Sequence, residues 1–204
     1  MSHVVKKEIC IVHLNVRSLL ATSCDGPSRM DILLSTIVEH YDVDIFGLCE
    51  THLDSTINSN TIAFDGFTLF RKDRNRRGGG VAIYVKSSFM PELFIDPIEY
   101  ETESVFVKIK ICNKTCIIGE CYIAPNQSAI QKSNIIESLG EQLNRAISYN
   151  NSNTLLVVMG DLNDRCKSWS SDHNDSEFGL SLVNLFNEFN LNQIVNSSTR
   201  GEIC

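Results

Sequence analysis

Three short apolar runs, each ending on a polar residue, most constrain how this 204-residue chain folds. The runs are EICIVHLN, VDIFGLCE and TLLVVMGDLN, and they end on Asn15, on Glu50, and on Asp161 with Asn163. Short apolar runs are typical of buried strands, and sites in open α/β sheets gather at the carboxyl ends of strands. If these strands lie side by side, four oxygen-bearing side chains meet at one place. Such oxygens suit a hard cation such as Mg²⁺ together with phosphate.

The composition is that of a globular protein. With 43% apolar and 21% charged residues, the chain is long enough for a real core, so residues 1–204 are expected to form one domain. No apolar run reaches ~18 residues, which predicts no membrane-spanning helix. The N-terminal segment MSHVVKKEIC lacks the long apolar core of a secretory signal. An intracellular location is therefore predicted.

The cysteines indicate the redox environment of the chain, and the charge distribution bears on whether it binds nucleic acid. The eight cysteines mostly lie in or beside apolar runs and form no C-x-x-C pair, which favours reduced core thiols over a zinc site. The net charge of −7 argues mildly against simple electrostatic binding of nucleic acid. However, residues 71–77, RKDRNRR, hold five cations and one anion. The net charge therefore does not exclude DNA as a substrate.

Strand-like and helix-like segments alternate along the chain and predict a mixed α/β architecture. Runs rich in Val, Ile and aromatic residues predict strands at residues 8–14, 43–49, 66–71, 79–85, 104–111, 115–123 and 154–160. Apolar stripes at helical spacing predict helices around residues 30–38, 136–147 and 178–189. Ser28 is expected to cap the first helix, and Asp175 or Ser176 the third. The glycines at 78–80 predict a turn or bulge before a strand.

Six motifs in order resemble those of the endonuclease domain of non-LTR retrotransposons. They are LNVRSL, DIFGLCETHL, RNRRGGGVAIYV, ECYIAPN, VVMGDLND and NSSTR, and the resemblance runs from about residue 8 to the end. That domain belongs to the exonuclease–endonuclease–phosphatase superfamily, with apurinic/apyrimidinic endonucleases and pancreatic-type DNases. The resemblance implies a four-layer α/β sandwich, with two mixed sheets face to face and helices outside. It also implies hydrolysis of a DNA phosphodiester that depends on Mg²⁺, with Mn²⁺ as a substitute.

The resemblance assigns roles to the strand-end residues. Glu50 matches a metal-ligating glutamate, and Asp161 matches an aspartate that lies at the metal and orients or deprotonates the attacking water. Asn163 matches an asparagine that holds phosphate or nucleophile, while Asn15 matches one that helps to place the metal and the aspartate. Tyr122 matches a tyrosine whose hydroxyl touches the scissile phosphate. Taken alone, GDLN favours an Asx turn after a strand, and Tyr122 favours a core position.

Several cations and one threonine are candidate substrate contacts. Arg74, Arg76 and Arg77 in the basic loop, and Arg17 early in the chain, would track a DNA backbone. The other interpretation of the basic loop is a solvated charged surface. Thr199 in NSSTR matches a threonine near the substrate. The resemblance further implies a reverse transcriptase domain in the full-length polypeptide, and a nuclear location if genomic DNA is cut.

The sequence departs from the family near its end. The family continues with a strand that carries an aspartate, and then with an S-D-H loop whose histidine stabilises the transition state. Neither follows NSSTR within residues 1–204, so a domain without its last strands and with weak or no activity is expected. The SDH triplet at residues 171–173 is not a substitute, because no strand separates it from Asp161. His13 is predicted to be a strand residue, and His52 a loop residue rather than a catalyst.

Three functions stay open at this point. The first is a DNA-nicking endonuclease of the retrotransposon type, and the second is a stand-alone phosphatase or nucleotidase of the same superfamily. The third is a remnant that has lost catalysis and binds only metal or nucleic acid. The motifs RNRRGGG, LNVRSL and ETHL favour the first function. The expected loss of the transition-state histidine favours the third for this polypeptide.

Overall fold

In the part of the chain that the computed structural model describes, eight strands form two four-stranded sheets. The structure describes residues 8–22, 26–38, 40–149, 154–164, 166–167, 169 and 175–195. The sheets face each other across an apolar layer, and helices pack on the two outer faces. This arrangement confirms the predicted α/β sandwich of two mixed sheets with outer helices. It also determines where the strand ends meet.

The first sheet has the strand order β1-β2-β4-β3. Its strands are β1 (Ile11–Asn15), β2 (Ile45–Cys49), β3 (Phe67–Lys72) and β4 (Val81–Lys86). β1 is parallel to β2, and their register places Asn15 opposite Cys49. β4 is antiparallel to both β2 and β3. The carboxyl ends of β1 and β2 therefore lie at the same edge of this sheet.

The second sheet has the strand order β5-β6-β7-β8. Its strands are β5 (Glu92–Ile95), β6 (Glu103–Ile111), β7 (Lys114–Tyr122) and β8 (Thr154–Asp161). β7 and β8 are parallel, and their register places Tyr122 opposite Asp161. The other two neighbouring pairs are antiparallel. The carboxyl ends of β7 and β8 thus form a second shared edge.

All seven predicted strands are present, with boundaries shifted by up to three residues. The strand β5 was not predicted, because it is only four residues long and begins with two exposed side chains. On β6, Phe106 is buried while Lys110 is exposed, so one face of that strand is solvated toward its end. The sequence pattern therefore located every strand with a long apolar run and missed the short one.

The three predicted helices are also present. They are α1 (Arg29–Leu33), which continues as a π-helical turn over Leu34–Val38, then α2 (Ala129–Ser148) and α3 (Glu177–Glu188). Ser28 caps α1 in a capping box with Asp31, as predicted. Ser176, rather than Asp175, caps α3 by accepting a hydrogen bond from the Gly179 backbone. None of the helices that the structure describes is both long enough and apolar enough to cross a membrane.

Apolar side chains fill three layers that hold the sheets and helices together. The middle layer lies between the sheets and includes Ile45, Ile83 and Ile118. α1 covers the outer face of the first sheet, whereas α2 and α3 cover the second. Four of the six described cysteines are buried and all six are free thiols, which supports the prediction of reduced core cysteines. Cys10 and Cys112 are exposed and do not follow it.

The N-terminal cap of α2 provides a matched test of the fold. The Ser128 side chain accepts a hydrogen bond from the Gln131 backbone, and the Gln131 side chain accepts one from Ser128. Ser128→Ala should lower the free energy of unfolding by about 1 kcal/mol, because the backbone donors of the first turn lose a partner. Ser133→Ala, an exposed position within the same helix, should change stability by only a few tenths of a kcal/mol. Urea unfolding of both variants checks this, and equal losses would contradict the cap assignment.

Candidate metal and phosphate site

The carboxyl ends of four strands meet at one edge of the sandwich. β1 ends on Asn15 and β2 is followed directly by Glu50, while β7 and β8 end on Tyr122 and Asp161. All four side chains were predicted to belong to the site. They come from both sheets, so the site spans the gap between the two layers.

Asn15 is the centre of the contacts at this edge. Its Nδ2 donates hydrogen bonds to Glu50 Oε1 at 2.9 Å and to Asp161 Oδ2 at 2.9 Å. The Tyr122 hydroxyl donates to the same Glu50 Oε1 at 3.3 Å. With this orientation of the amide, Asn15 orients both carboxylates, and its Oδ1 accepts a hydrogen bond from the Arg17 backbone at 3.2 Å. The sequence prediction that Asn15 also ligates metal stays a prediction.

The backbone leaves these strands through left-handed residues. Non-glycine residues with positive φ near the site are Arg17, Ser18, Glu50, His52 and Asn163, at 42°, 82°, 51°, 52° and 46°. Such conformations cost about 1–3 kcal/mol each and persist where the surroundings hold them. Here the two exit loops are tied together, since Ser18 donates its backbone N–H to the Glu50 carbonyl at 2.7 Å. The left-handed conformation of Glu50 turns its side chain toward the other site residues instead of along β2.

Asn163 packs against Asp161 as the motif predicts. Its backbone N–H donates to Asp161 Oδ1 at 3.1 Å, which is the Asx turn expected from GDLN alone. Its Nδ2 donates to the Ile123 carbonyl at 3.1 Å and so ties the end of β8 to the segment after β7. The structure thus places Asn163 beside the site. Its predicted contact with phosphate or nucleophile stays a prediction.

The donor set fits a hard divalent cation. Glu50 and Asp161 each place a carboxylate oxygen within hydrogen-bond distance of one nitrogen, and both residues are half-buried. Two carboxylates at such close range repel each other unless a cation or proton compensates them. Carboxylate oxygens are the ligands that Mg²⁺ and Mn²⁺ prefer, with water and substrate phosphate completing the coordination. The residues present therefore suit the metal that the sequence resemblance implies.

Tyr122 is kept as a neutral hydrogen-bond donor. Burial, and then the charge and hydrogen bond of Glu50, raise the pKa of its phenol to about 12. Arg74 opposes this shift, because its guanidinium carbon lies 5.8 Å from the centre of the Tyr122 ring. The hydroxyl therefore retains its proton at neutral pH. It can donate to an anionic oxygen when one approaches.

The glycine-rich segment anchors Arg74 at the site. Its guanidinium pairs with Glu103 at 2.7 Å and donates to the Gly78 carbonyl at 2.9 Å. Gly79 and Gly80 have φ of 66° and 87°, which only glycine adopts readily. The predicted turn before β4 is therefore correct. Of the three predicted cations in the basic loop, Arg74 is the one that touches a site residue through a described contact.

The other three arginines predicted to contact the substrate are exposed. Arg76 and Arg77 lie exposed at the loop tip, where they line an open depression with Asp54 and Asn75. Arg17 is exposed directly after the site asparagine.

The other two cations of the basic run belong to the fold. Arg71 donates to the Ile57 carbonyl at 2.6 Å, and Lys72 donates to the Thr102 carbonyl at 2.7 Å. Treating the whole run as a solvated surface is thus wrong for these two residues, because both are half-buried and bind backbone carbonyls. Thr199 and the SDH triplet at residues 171–173 lie outside the described residues.

One histidine lies closer to the site than the sequence suggested. His52 is a loop residue, as predicted, but its Nε2 is 3.6 Å from Glu50 Oε2. The positive φ of both residues turns the two side chains toward each other. The only sequence signal for this contact is the two-residue spacing in ETHL.

The profile of the Endonuclease/Exonuclease/phosphatase family matches residues 12–201. No curated protein sequence is significantly similar to the chain.

Several solved structures share the fold. They include the endonuclease domain of TRAS1, a telomere-specific non-LTR retrotransposon, with 19% identity and a TM-score of 0.57 over 89% of this chain. The 3′ phosphatase NExo from Neisseria, bound to a product DNA hairpin, has 17% identity and a TM-score of 0.61 over 88%. An AP endonuclease from Archaeoglobus fulgidus has 16% identity and a TM-score of 0.53 over 89%. The chain covers 71% of each of these three structures.

Calorimetric titration with Mn²⁺ tests the metal ligand. The wild-type chain should bind one Mn²⁺ weakly, because few protein oxygens are offered and substrate phosphate is absent. Glu50→Gln should weaken binding by tenfold or more, since a carboxylate ligand becomes a neutral amide. Glu137→Gln, an exposed change of the same kind on α2, should leave binding unchanged. Equal affinity of the wild type and Glu50→Gln would remove Glu50 from the site.

Proposed function

We propose that this chain, which belongs to the endonuclease/exonuclease/phosphatase family, is a metal-dependent phosphodiesterase domain that nicks DNA. The observation that carries the proposal is the pair of carboxylates, Glu50 and Asp161, joined by Asn15 across the two sheets. The pair lies beside Tyr122, a neutral phenol donor, and Arg74 of the basic loop lies over the Tyr122 ring. This combination provides for a cation, a phosphate and a polyanionic strand at one edge.

The reaction is the attack of water on the scissile phosphorus. Asp161 orients the attacking water and accepts its proton as the new P–O bond forms, while the bond to the leaving sugar oxygen breaks. A bound Mg²⁺ would be held by Glu50 and Asp161 and would supply a positive charge to the phosphate oxygens and lower the pKa of bound water. Tyr122 donates its hydroxyl to a non-bridging oxygen, and Asn163 holds the phosphate or the water.

Several features support DNA as the substrate. Arg74 is fixed over the ring of Tyr122, so its charge lies near the position proposed for the scissile phosphate. Arg76, Arg77 and Arg17 are exposed around the same edge and would follow the backbone of the strand. One similar structure is bound to a product DNA hairpin, and another comes from a non-LTR retrotransposon. A retrotransposon origin would further connect the domain to a reverse transcriptase and to the nucleus.

The competing functions predict different products. A phosphatase or nucleotidase would release phosphate from small nucleotides, and a 3′ phosphatase is among the similar structures. A remnant without catalysis would bind metal or DNA and release nothing. The basic loop favours a long polyanion over a small nucleotide, because Arg76 and Arg77 are exposed and line a depression that includes neither carboxylate of the pair.

Nicking of supercoiled plasmid in Mg²⁺ tests the activity. The assay uses the chain alone and the chain followed by the S-D-H segment of the family, since the transition-state histidine is expected there. The extended chain should nick the plasmid. Asp161→Asn should lower the rate by about two orders of magnitude or more, because the water loses its base.

The control for this assay is Asp65→Asn, an exposed change on the turn before β3, which should leave the rate unchanged. Nicking that persists in EDTA would contradict the metal-dependent mechanism. Faster phosphate release from mononucleotides than plasmid nicking would favour the phosphatase. Metal binding without any cleavage by the extended chain would favour the inactive remnant.

The salt dependence of DNA binding tests the basic loop. Arg76→Ala should weaken binding to random-sequence duplexes uniformly and reduce the slope of log K against log salt by about 1, as expected for one lost phosphate contact. Arg145→Ala removes an exposed arginine of α2 that pairs with Glu99, and it should not change the slope. Fluorescence anisotropy at several salt concentrations measures both. An unchanged slope for Arg76→Ala would make the loop a solvated surface.

A further inference from the structure

A second cluster of ligand-type side chains lies between the two sheets, next to the carboxylate pair. His13 Nε2 is 3.0 Å from Cys49 Sγ and 3.1 Å from Glu120 Oε1, and the Cys49 thiol is 3.3 Å from the same Glu120 oxygen. The three residues come from β1, β2 and β7, so the cluster joins the first sheet to the second. None of them belongs to the set proposed for phosphodiester hydrolysis.

Glu120 is an unusual residue for this position. It is completely buried, and its Oε2 has no hydrogen-bond partner among the described residues. A buried carboxylate with one unsatisfied oxygen is costly unless a further group compensates it. Gly47 on β2 makes room for it, because a side chain there would collide with Glu120 Oε2. The space and the unsatisfied oxygen are therefore built into facing strands.

We propose that His13, Cys49 and Glu120 form a binding site for Zn²⁺, separate from the hydrolytic metal site. An imidazole, a thiolate and a carboxylate are the three ligand types that Zn²⁺ accepts, whereas Mg²⁺ prefers oxygen alone. A water molecule would complete the four-coordinate shell. Zinc in this place would tie β1 and β2 to β7 in the layer beneath Asn15.

The geometry is close to that of a zinc site. Ligand atoms around a four-coordinate Zn²⁺ lie about 3.4–3.6 Å apart, so each observed separation needs to open by about half an ångström or less. The charges also match, because one thiolate and one carboxylate neutralise the ion. His13 is 26% exposed at the side chain, which provides a path for the ion from the β1 side.

The sequence patterns do not indicate such a site. No C-x-x-C pair marks it, and these three residues lie on three different strands. Only the register of β1 with β2 and the face-to-face packing of β7 bring them together.

Titration with Co²⁺, which replaces Zn²⁺ and is visible spectroscopically, tests the proposal on the whole chain. After treatment with chelator, the wild type should show a thiolate-to-cobalt charge-transfer band when Co²⁺ is added, and excess Zn²⁺ should abolish this band. Cys49→Ser should lose the band, and His13→Gln should bind Co²⁺ at least tenfold more weakly. Glu50→Gln, a change in the hydrolytic site, should keep the band. A wild type without the band, or an unchanged band in Cys49→Ser, would overturn the proposal.

A measurement on the wild type alone avoids any folding defect of the variants. Alkylation of the native chain with and without Zn²⁺, followed by mass spectrometry, reports the protection of each thiol. Zn²⁺ should slow the modification of Cys49 at least tenfold and leave the exposed Cys112 unaffected. Equal protection or no protection at the two cysteines would leave the cluster as a buried histidine–glutamate pair without a metal.

Discussion

The hydrogen bonds of the Asn15 amide hold the two halves of the candidate site together. One amide nitrogen reaches Glu50 on its own sheet and Asp161 on the opposite sheet, over a sequence separation of 146 residues. A lone carboxylate at either strand end would be a solvated acid of no particular function. Joined through one donor, the two acids converge on a common space. The apolar layer between the sheets sets the distance that this amide must span.

The strand ends could be predicted from the sequence because the pattern that marks each of them lies within a few neighbouring residues. An apolar run marks a buried strand, and the first polar residue after it marks the edge, so Asn15, Glu50 and Asp161 could be named before their contacts were known. The family resemblance then supplied the pairing of runs that are far apart in the chain. The strand β5 could not be predicted, because it is only four residues long and its first two side chains are exposed.

Contacts across the sandwich were beyond the sequence patterns. In the sequence, Arg71 and Lys72 belong to a run that is typical of a basic surface. In the structure they donate hydrogen bonds to the backbone carbonyls of distant residues. The approach of His52 to Glu50 depends on two left-handed residues that no propensity predicts. The buried Glu120 likewise depends on the glycine opposite it. In each case the packing of distant segments decides the role of the residue.

The position of manganese in a crystal of this chain tests the central claim most directly. Crystals grown with Mn²⁺ and a short DNA duplex would locate the ion by its anomalous scattering. The account predicts one peak within ligand distance of the carboxylates of Glu50 and Asp161, facing the DNA backbone. A peak elsewhere, or carboxylates that stay bound only to Asn15 while DNA lies on another face, would contradict it.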